Sequence, residues 1–486
     1  MKLRDYQEQL IRDVKKKFAK GKKRVVMQAP TGSGKTVTFV ELAKRTLEKN
    51  PESAVLIFTN RLELQQQAKN TLEKANIPVY TIEAGKKNVT ELMPGATVAM
   101  VETFNRRKIN IDKLKLTIID ECHIGNFRKI TEKLQDHYII GATATPLSAS
   151  KDLPLKLQYN DIVCSINIPE LIEQGYLANP EYFHLVPKKI GKLKEERGEF
   201  TDESQQEVFE DVELFSDLMR EFSKFSTKKT IIFCNNISTT KLVYEQFKAN
   251  NYKVDYVVSG GENDRKEVFD KFRNNEIQIL VNCGIATTGY DEPSIECVIL
   301  YRATKSFPLY LQMVGRGSRV TDKKKDFIIL DFGQNVKRHG YWDNPVNWES
   351  VFNNPPKKGE AVAPVKECSS CGALLRINEM ICPICGEDQE KEAKEKKYLE
   401  AQLEKIQRAK KEALNGKRPS QMTVDELIMV QEIKGHKSGW VARVLRSRED
   451  SIYYLKEYQR KKKFKPKWAN FNQFGPTEFK DNPIKF

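Results

Sequence analysis

From residue 24 to about residue 145 the chain alternates short apolar runs with amphipathic stretches. The runs at 24–27, 55–58, 97–101, 116–119 and 138–141 are apolar at consecutive rather than alternate positions, the pattern of strands buried on both faces of a parallel sheet. Between the first two lies 37–47, with apolar residues at helical spacing. A second series begins near residue 229, with runs at 230–234, 253–258, 277–282, 297–301 and 326–330. The pattern predicts an α/β chain with two tandem parallel-sheet domains. The segment between them is less regular, and its stretch KKIGKLKEERGEFTDESQQE (188–207) is polar enough to predict an exposed flap or insertion.

Beyond residue 350 the pattern changes. NNPPKKGEAVAP reads as a linker, and residues 390–414 carry Glu and Lys in quantity with Leu399, Leu403 and Ile406 on one face, predicting a helix that stops at Asn415 and Gly416. A second helix is predicted from Thr423, with Glu426 three residues on as a capping box. The tail RKKKFKPKW (460–468) interleaves cations with Phe464 and Trp468, which suits either stacking on bases or a solvated tail. A chain of 486 residues exceeds a single core, and the divisions expected are 1–165, 166–350, a linker at 351–365, a small metal module at 366–388 and a helical basic region at 389–486.

Composition adds a partner. The formal net charge is +16, which favours a polyanion, and nucleic acid is the usual one because neutralising phosphates releases counterions. No apolar run approaches the length of a membrane span and MKLRDYQEQL has no apolar leader core, so a cytosolic location and no membrane partner are expected. Of nine cysteines, Cys122, Cys164, Cys234, Cys283 and Cys297 are scattered through mostly apolar runs and read as reduced, packed thiols. Cys368, Cys371, Cys382 and Cys385 instead form CSSC and CPIC, each pair followed by Gly372 or Gly386. Two such knuckles deliver four thiolates to one tetrahedral Zn²⁺; two disulfides or an iron–sulfur cluster are weaker readings. A four-cysteine site leaves no open position, so the metal's expected duty is folding.

The strongest chemical signal is APTGSGKT (29–36). It sits between a predicted strand and a predicted helix, as a phosphate cradle requires. Gly32 and Gly34 supply the turn, Thr31 and Ser33 complete the loop, Lys35 can reach phosphate oxygens and the Thr36 hydroxyl can hold Mg²⁺; Ala29 replaces the first glycine of the usual pattern. LTIIDECH (116–123) then ends an apolar strand in Asp120, assigned to the Mg²⁺, and Glu121, assigned to the attacking water.

Together with TAT (143–145), these motifs resemble motifs I, II and III of superfamily 2 nucleic-acid helicases, whose two domains are RecA-like and bind ATP between them. The resemblance extends from residue 3 to about 345, in seven ordered motifs and an adenine-side motif ahead of them. LRDYQ (3–7) is similar to the adenine-side motif, implying roles for Arg4, Tyr6 and Gln7. FTNRLELQQQ (58–67) and VAMVETFNRR (98–107) resemble motifs Ia and Ib, implying nucleic-acid backbone contacts by Asn60, Arg61 and Thr103. VNCGIATTGYDEPSIECVIL (281–300) resembles motif V, with Thr287 on nucleic acid and Gly289 and Asp291 on the nucleotide side. QMVGRGSR (312–319) resembles motif VI through Gln312, Gly315, Arg316 and Arg319, the two arginines being candidate fingers for charge developing in phosphoryl transfer.

Within that superfamily, IPELIEQGYLANP (168–180) and DFGQNVKRHG (331–340) look most like the branch containing phage UvsW-type repair and branch-migration helicases, and KGHKSGWVARVLRSR (434–448) is similar to C-terminal segments of phage members. The resemblance implies an ATP- and Mg²⁺-dependent motor on single-stranded or branched DNA in a bacterial or phage-infected cytosol. An RNA helicase, a nucleic-acid adaptor with a regulatory ATPase, and the motor of a nuclease system are the rival readings. For the last, EFK (478–480) has no acidic partner upstream, and DFG (331–333) has no kinase motifs around it.

Overall fold

The computed structural model describes residues 3–462 apart from 86–88, 125–126, 149–153, 261–263, 287–289, 357–361, 369, 390–410 and 413, together with residue 483. Thr287, Gly289, the predicted helical face of Leu399, Leu403 and Ile406, the tail from 463 to 468 and EFK all lie outside the described residues. The chain divides into two compact units, 1–378 and 379–486.

In the first unit, β1 (Arg24–Gln28), β2 (Ala54–Thr59), β3 (Val79–Ile82), β4 (Gly95–Met100), β5 (Leu114–Asp120), β6 (Tyr138–Thr143) and β7 (Asp161–Cys164) form one sheet in the order β3-β4-β2-β5-β6-β1-β7. Every pairing is parallel. Consecutive apolar residues serve both faces: Val25, Met27, Val55 and Ile57 pack on one side with Phe39 and Val40, and Val26, Leu56, Phe58 and Ile119 on the other with Phe127 and Tyr159. Because β6 lies between β1 and β5 and all three run the same way, the ends of β1, β6 and β5 share one edge of the sheet. Their loops are APTGSGKT, TAT and DECH.

β8 (Asn179–His184) belongs to a second sheet. A hairpin of β9 (Glu195–Glu196) and β10 (Glu199–Phe200) follows, and β11 (Thr230–Cys234), β12 (Val254–Val257), β13 (Ile279–Asn282), β14 (Cys297–Tyr301) and β15 (Asp326–Asp331) complete that sheet in the parallel order β12-β13-β11-β14-β15-β8. Its two faces are also apolar. The two-domain α/β expectation is therefore observed, with β3, β7 and β8 as sheet-edge strands that the apolar pattern does not announce. β8 reads NPEYFH and is mostly exposed, and its Pro180 is tolerated because an edge strand needs fewer ladder donors.

The polar stretch 188–207 is only partly the exposed flap expected. The hairpin tip is exposed, but Glu199 accepts from the Thr304 hydroxyl (2.5 Å) and the Lys305 amide (2.8 Å), and Ser204 and Gln205 of the following helix Asp202–Phe209 are buried. Cys122, Cys234 and Cys297 are packed thiols as expected, whereas Cys164 is exposed because it ends edge strand β7.

DFG proves to be a turn lock. The Asp331 carboxylate accepts from the amides of Gly333 (3.0 Å) and Val336 (2.8 Å) and from Asn335 Nδ2 (2.9 Å). Any side chain at 333 would put its Cβ 1.9 Å from the Arg302 carbonyl oxygen.

The first unit ends in the antiparallel pair β16 (Val365–Glu367) and β17 (Leu374–Arg376), and Arg376 of β17 pairs with Asp343 at 2.6 Å. The second unit holds helices Val424–Lys434, Ser438–Arg446 and Ser451–Lys462 around Leu427, Val430, Val441, Leu445, Leu455 and Tyr458. Thr423 and Glu426 form the expected capping box.

Candidate nucleotide site

The loop after β1 turns on Gly32 and Gly34, both in the left-handed region at φ +84° and +82°. It leads into helix Lys35–Lys49, whose first turn takes no side-chain cap, so its amides point into the loop. The first helix, Asp5–Ala19, braces this loop. Tyr6 donates its hydroxyl to the Ser33 carbonyl at 2.6 Å, Gln7 Nε2 donates to the same oxygen at 3.0 Å, and the Arg4 amide donates to Gln7 Oε1 at 3.0 Å. A Cβ at Gly34 would lie 2.5 Å from Gln7 Nε2. Ser33 Oγ closes the turn on the Pro30 carbonyl at 2.7 Å, and Thr31 and Thr36 stay half-buried.

At the end of β5, Lys35 Nζ donates to Glu121 Oε1 and lies 3.3 Å from Asp120 Oδ1. Burial opposes charge on all three groups. The two carboxylates nevertheless hold the ammonium above its ordinary value, while Lys35 and His123 hold Glu121 below its own; burial raises Asp120. Glu121 adopts φ +49°, a left-handed conformation uncommon for a side chain of its length, which turns it off the strand end toward Lys35. His123 Nδ1 lies 3.3 Å from Glu121 Oε2 and 2.9 Å from Thr143 Oγ1, and that hydroxyl bonds the Thr145 amide at 3.0 Å. His123 thus joins the DECH and TAT loops. Sequence reasoning missed this role, although its position in DECH was visible.

The second sheet brings its own residues to the loop. Helix Phe307–Val314, with Gln312 buried, delivers Gly315 against Thr31; a Cβ at 315 would lie 2.8 Å from Thr31 Cγ2. A Cβ at Gly32 would meet Leu177 at 2.9 Å and Ser318 Oγ at 3.3 Å. Arg316 donates to the Tyr290 carbonyl at 2.5 Å, and burial with neighbouring Arg319 pulls it down to about 9. Arg319 pairs with Asp291 at 2.7 Å.

Two further residues that the sequence did not single out position this segment. The buried Lys324 ammonium donates to the carbonyls of Pro293 (2.9 Å), Ile295 (2.5 Å) and Gly317 (2.8 Å). Tyr176 lies under the Arg4 guanidinium at 4.1 Å, while Ala178, two residues on, donates its amide to Ser318 at 2.7 Å. A glycine-turned loop leading into a helix, a lysine between two carboxylates and two arginines from the second domain are thereby gathered in one unit, the constellation that phosphoryl-transfer chemistry uses.

Comparison with known proteins agrees. The family model "Type III restriction enzyme, res subunit" matches residues 1–148 and "Helicase conserved C-terminal domain" matches residues 212–321. A 51.5 kDa protein of a Lactococcus phage (isolate 7-9) is 30% identical over 393 residues, covering 79% of this chain and 83% of its own. The chain is a superfamily 2 helicase. The protein named "Putative ATP-dependent helicase IRC3" of Saccharomyces cerevisiae is 30% identical over 358 residues, covering 68% of this chain; the chain spans only 51% of that relative's length. A solved fragment described as a "putative HsdR subunit of a type I restriction enzyme", from Vibrio vulnificus YJ016, has the same fold, with a TM-score of 0.54 and 22% identity over 67% of this chain and 63% of its own. Two RecA-like domains and the class of ATP-dependent helicase follow for the chain.

Asn60, Arg61 and Thr103, three of the helicase's candidate nucleic-acid residues, follow β2 and β4 at the same sheet edge. Asn60 is half-buried after β2, its Oδ1 without a hydrogen-bond partner among the described residues, and Thr103 is half-buried in helix Val101–Asn105 after β4. Arg61 reaches the second sheet, where it donates to the carbonyls of Gly284 (3.2 Å) and Ile285 (3.3 Å) in the motif V segment.

The helicase's four paired cysteines cluster, with Sγ atoms all within 4.8 Å of one another, and Cys368 and Cys382 are buried. Each knuckle turns on a glycine at positive φ: Gly372 donates its amide to Cys368 O at 2.7 Å and Gly386 to Cys382 O at 2.8 Å. The spacing suits a tetrahedral metal with bonds of about 2.3 Å. Among the described residues, no helix is long and apolar enough to cross a membrane.

Proposed function

We propose that this helicase is a DNA motor that moves along or remodels single-stranded or branched DNA in replication, recombination or repair. The observation that carries the motor is the meeting of the loop holding Lys35 with Gly315, Ser318 and Arg319 of the second sheet. The net charge of +16 and the phage relative support the choice of DNA and a cytosolic setting in a bacterial or phage-infected cell.

In this reading Arg4, Tyr6 and Gln7 set the adenine side, residues 31–34 and Lys35 hold phosphates, and Thr36 with Asp120 holds Mg²⁺. Glu121 takes the proton of the attacking water, oriented by His123, while Arg316 and Arg319, in a segment that also contains Gln312, neutralise developing charge. Gly289 and Asp291 complete the nucleotide side; Asn60, Arg61, Thr103 and Thr287 track the strand. ATP supplies the phosphoryl bond whose cleavage drives the cycle. Cys368, Cys371, Cys382 and Cys385 hold one Zn²⁺ as a folding element, and the divisions are 1–165, 166–350, 351–365, 366–388 and 389–486.

The test is steady-state ATP hydrolysis with no nucleic acid, single-stranded DNA, single-stranded RNA, forked DNA and a four-way junction, with Glu121→Gln as the blank. Stimulation strongest on branched DNA is expected. Stimulation by RNA alone would move the reading to an RNA helicase, and no stimulation to an adaptor with a regulatory ATPase.

A further inference from the structure

The second unit carries a feature that the motor does not use. Helix Val424–Lys434 ends at Gly435, which takes φ +66°, and the next helix, Ser438–Arg446, starts after Lys437, so the connection is three residues, 435–437. A third helix, Ser451–Lys462, closes the core. Two helices joined by a three- to four-residue glycine turn and backed by a third are the geometry by which a second helix is offered to the major groove of duplex DNA.

The chemistry of the second helix fits that partner. Its inner positions Val441, Ala442, Val444 and Leu445 are buried. Gly439 and Arg443 are exposed, Arg446 is half-exposed, and their spacing of four and three places them on one face; exposed Lys437 stands at its start. Nothing lies within 4 Å of where a Cβ at Gly439 would be. Trp440 is half-buried and stacks on His436 with ring centroids 4.6 Å apart.

From 434 to 448 the sequence has five Lys or Arg and no acidic residue. The carboxylates of the other two helices pair with cations outside this stretch: Lys461 pairs with Asp425 and Glu457, Lys462 with Glu432 and Lys417 with Glu426. Arg448 has a structural task, donating to the carbonyls of Pro419 and Met422. The acidic groups of the other two helices therefore offset cations away from the second helix, whose exposed face carries Arg443, with exposed Lys437 at its start.

We propose that Ser438–Arg446 is a duplex-DNA-binding helix, with Lys437 and Arg443 on phosphates or base edges. It gives the chain a grip on double-stranded DNA separate from the strand-tracking surface of the motor.

The experiment uses the full chain without nucleotide. Binding of a fluorescent 25-base-pair DNA duplex is followed by anisotropy from 50 to 200 mM salt for wild type, Arg443→Gln and the double variant Lys437→Glu/Arg443→Glu. The double variant should bind at least tenfold more weakly, and its slope of log affinity against log salt should fall by about 2, one per lost phosphate contact. Arg443→Gln should fall between. Melting curves of the variants that overlay wild type keep the comparison on folded protein, and ATP hydrolysis stimulated by single-stranded DNA should be unchanged. Duplex affinity within twofold of wild type in the double variant overturns the proposal. So does an equal loss on duplex RNA, whose narrow major groove does not admit a helix, because it would mean that Ser438–Arg446 binds without entering the groove. Failure of DNA to stimulate hydrolysis by wild type would count against the motor reading and leave this comparison intact.

Discussion

Lys35 stands between Asp120 and Glu121 inside the first unit, so its charge is set by those two carboxylates as much as by its own chemistry. Lys35→Ala should reduce ATP hydrolysis to the level of the Glu121→Gln blank while circular dichroism shows the fold retained; unchanged hydrolysis would end the phosphate-loop assignment.

His339 offers a pH test at the same scale. Its Nε2 donates to the Thr304 carbonyl at 2.9 Å, and burial lowers it to about 4 from an ordinary 6.5. The folded value lies below the unfolded one, so the unfolded chain takes up the proton first as pH falls. The stability contribution is therefore complete above about pH 6.5 and lost as pH drops through about 4, a change on the order of 3 kcal/mol. His339→Gln keeps a donor for Thr304 but has no titration, and its melting temperature should fall less steeply between pH 6.5 and 4 than that of wild type.

At the level of elements, the loop after β1 depends on backbone geometry that only glycine adopts without cost. Gly34 combines φ +82° with Gln7 Nε2 at 2.5 Å from a would-be Cβ. Gly34→Ala should lower kcat/KM for ATP at least tenfold. Adding Gln7→Ala removes the clash but leaves the left-handed backbone, which costs about 1–2 kcal/mol for a non-glycine residue, so rescue should be incomplete. Full rescue would mean that the clash alone matters.

Element by element, legibility followed burial. The central strands β1, β2, β5, β6, β11 and β14 stand out in the sequence because both faces are apolar. β3, β7 and β8 do not, because an edge strand buries less and carries polar or proline residues. The stretch 188–207 is largely exposed, as its polarity predicts, but polarity does not show where it is anchored: Glu199 and Gln205 satisfy Thr304, Lys305 and the Ala303 amide.

At the scale of the whole molecule, the proposed mechanism depends on the approach of two sheets within the first unit. Arg319→Ala should leave nucleotide affinity within a fewfold and reduce turnover by about 10³ or more, the loss expected of an arginine that acts on developing charge. Turnover equal to wild type would remove Arg319 from the chemistry. The cysteine cluster makes a separate prediction: Cys382→Ser should lower the zinc content of the purified chain and loosen the C-terminal region while basal ATP hydrolysis stays near wild type. Unaltered zinc content would exclude the four-thiolate assignment.

Local chemistry was enough to predict the glycine turn of APTGSGKT, the acidic pair at the end of β5, the glycine-turned knuckles and the two-domain α/β class. Each depends on residues a few positions apart, where backbone geometry makes spacing equivalent to placement. Contacts between distant segments were decided only in the folded chain. Gln7 braces Gly34, His123 bridges to Thr143, Arg61 reaches Gly284, Lys324 ties Pro293, Ile295 and Gly317 together, and Leu177 packs on Gly32. No periodicity encodes these pairs, because strand order and the packing of one sheet's loops against the other's fix which residues meet.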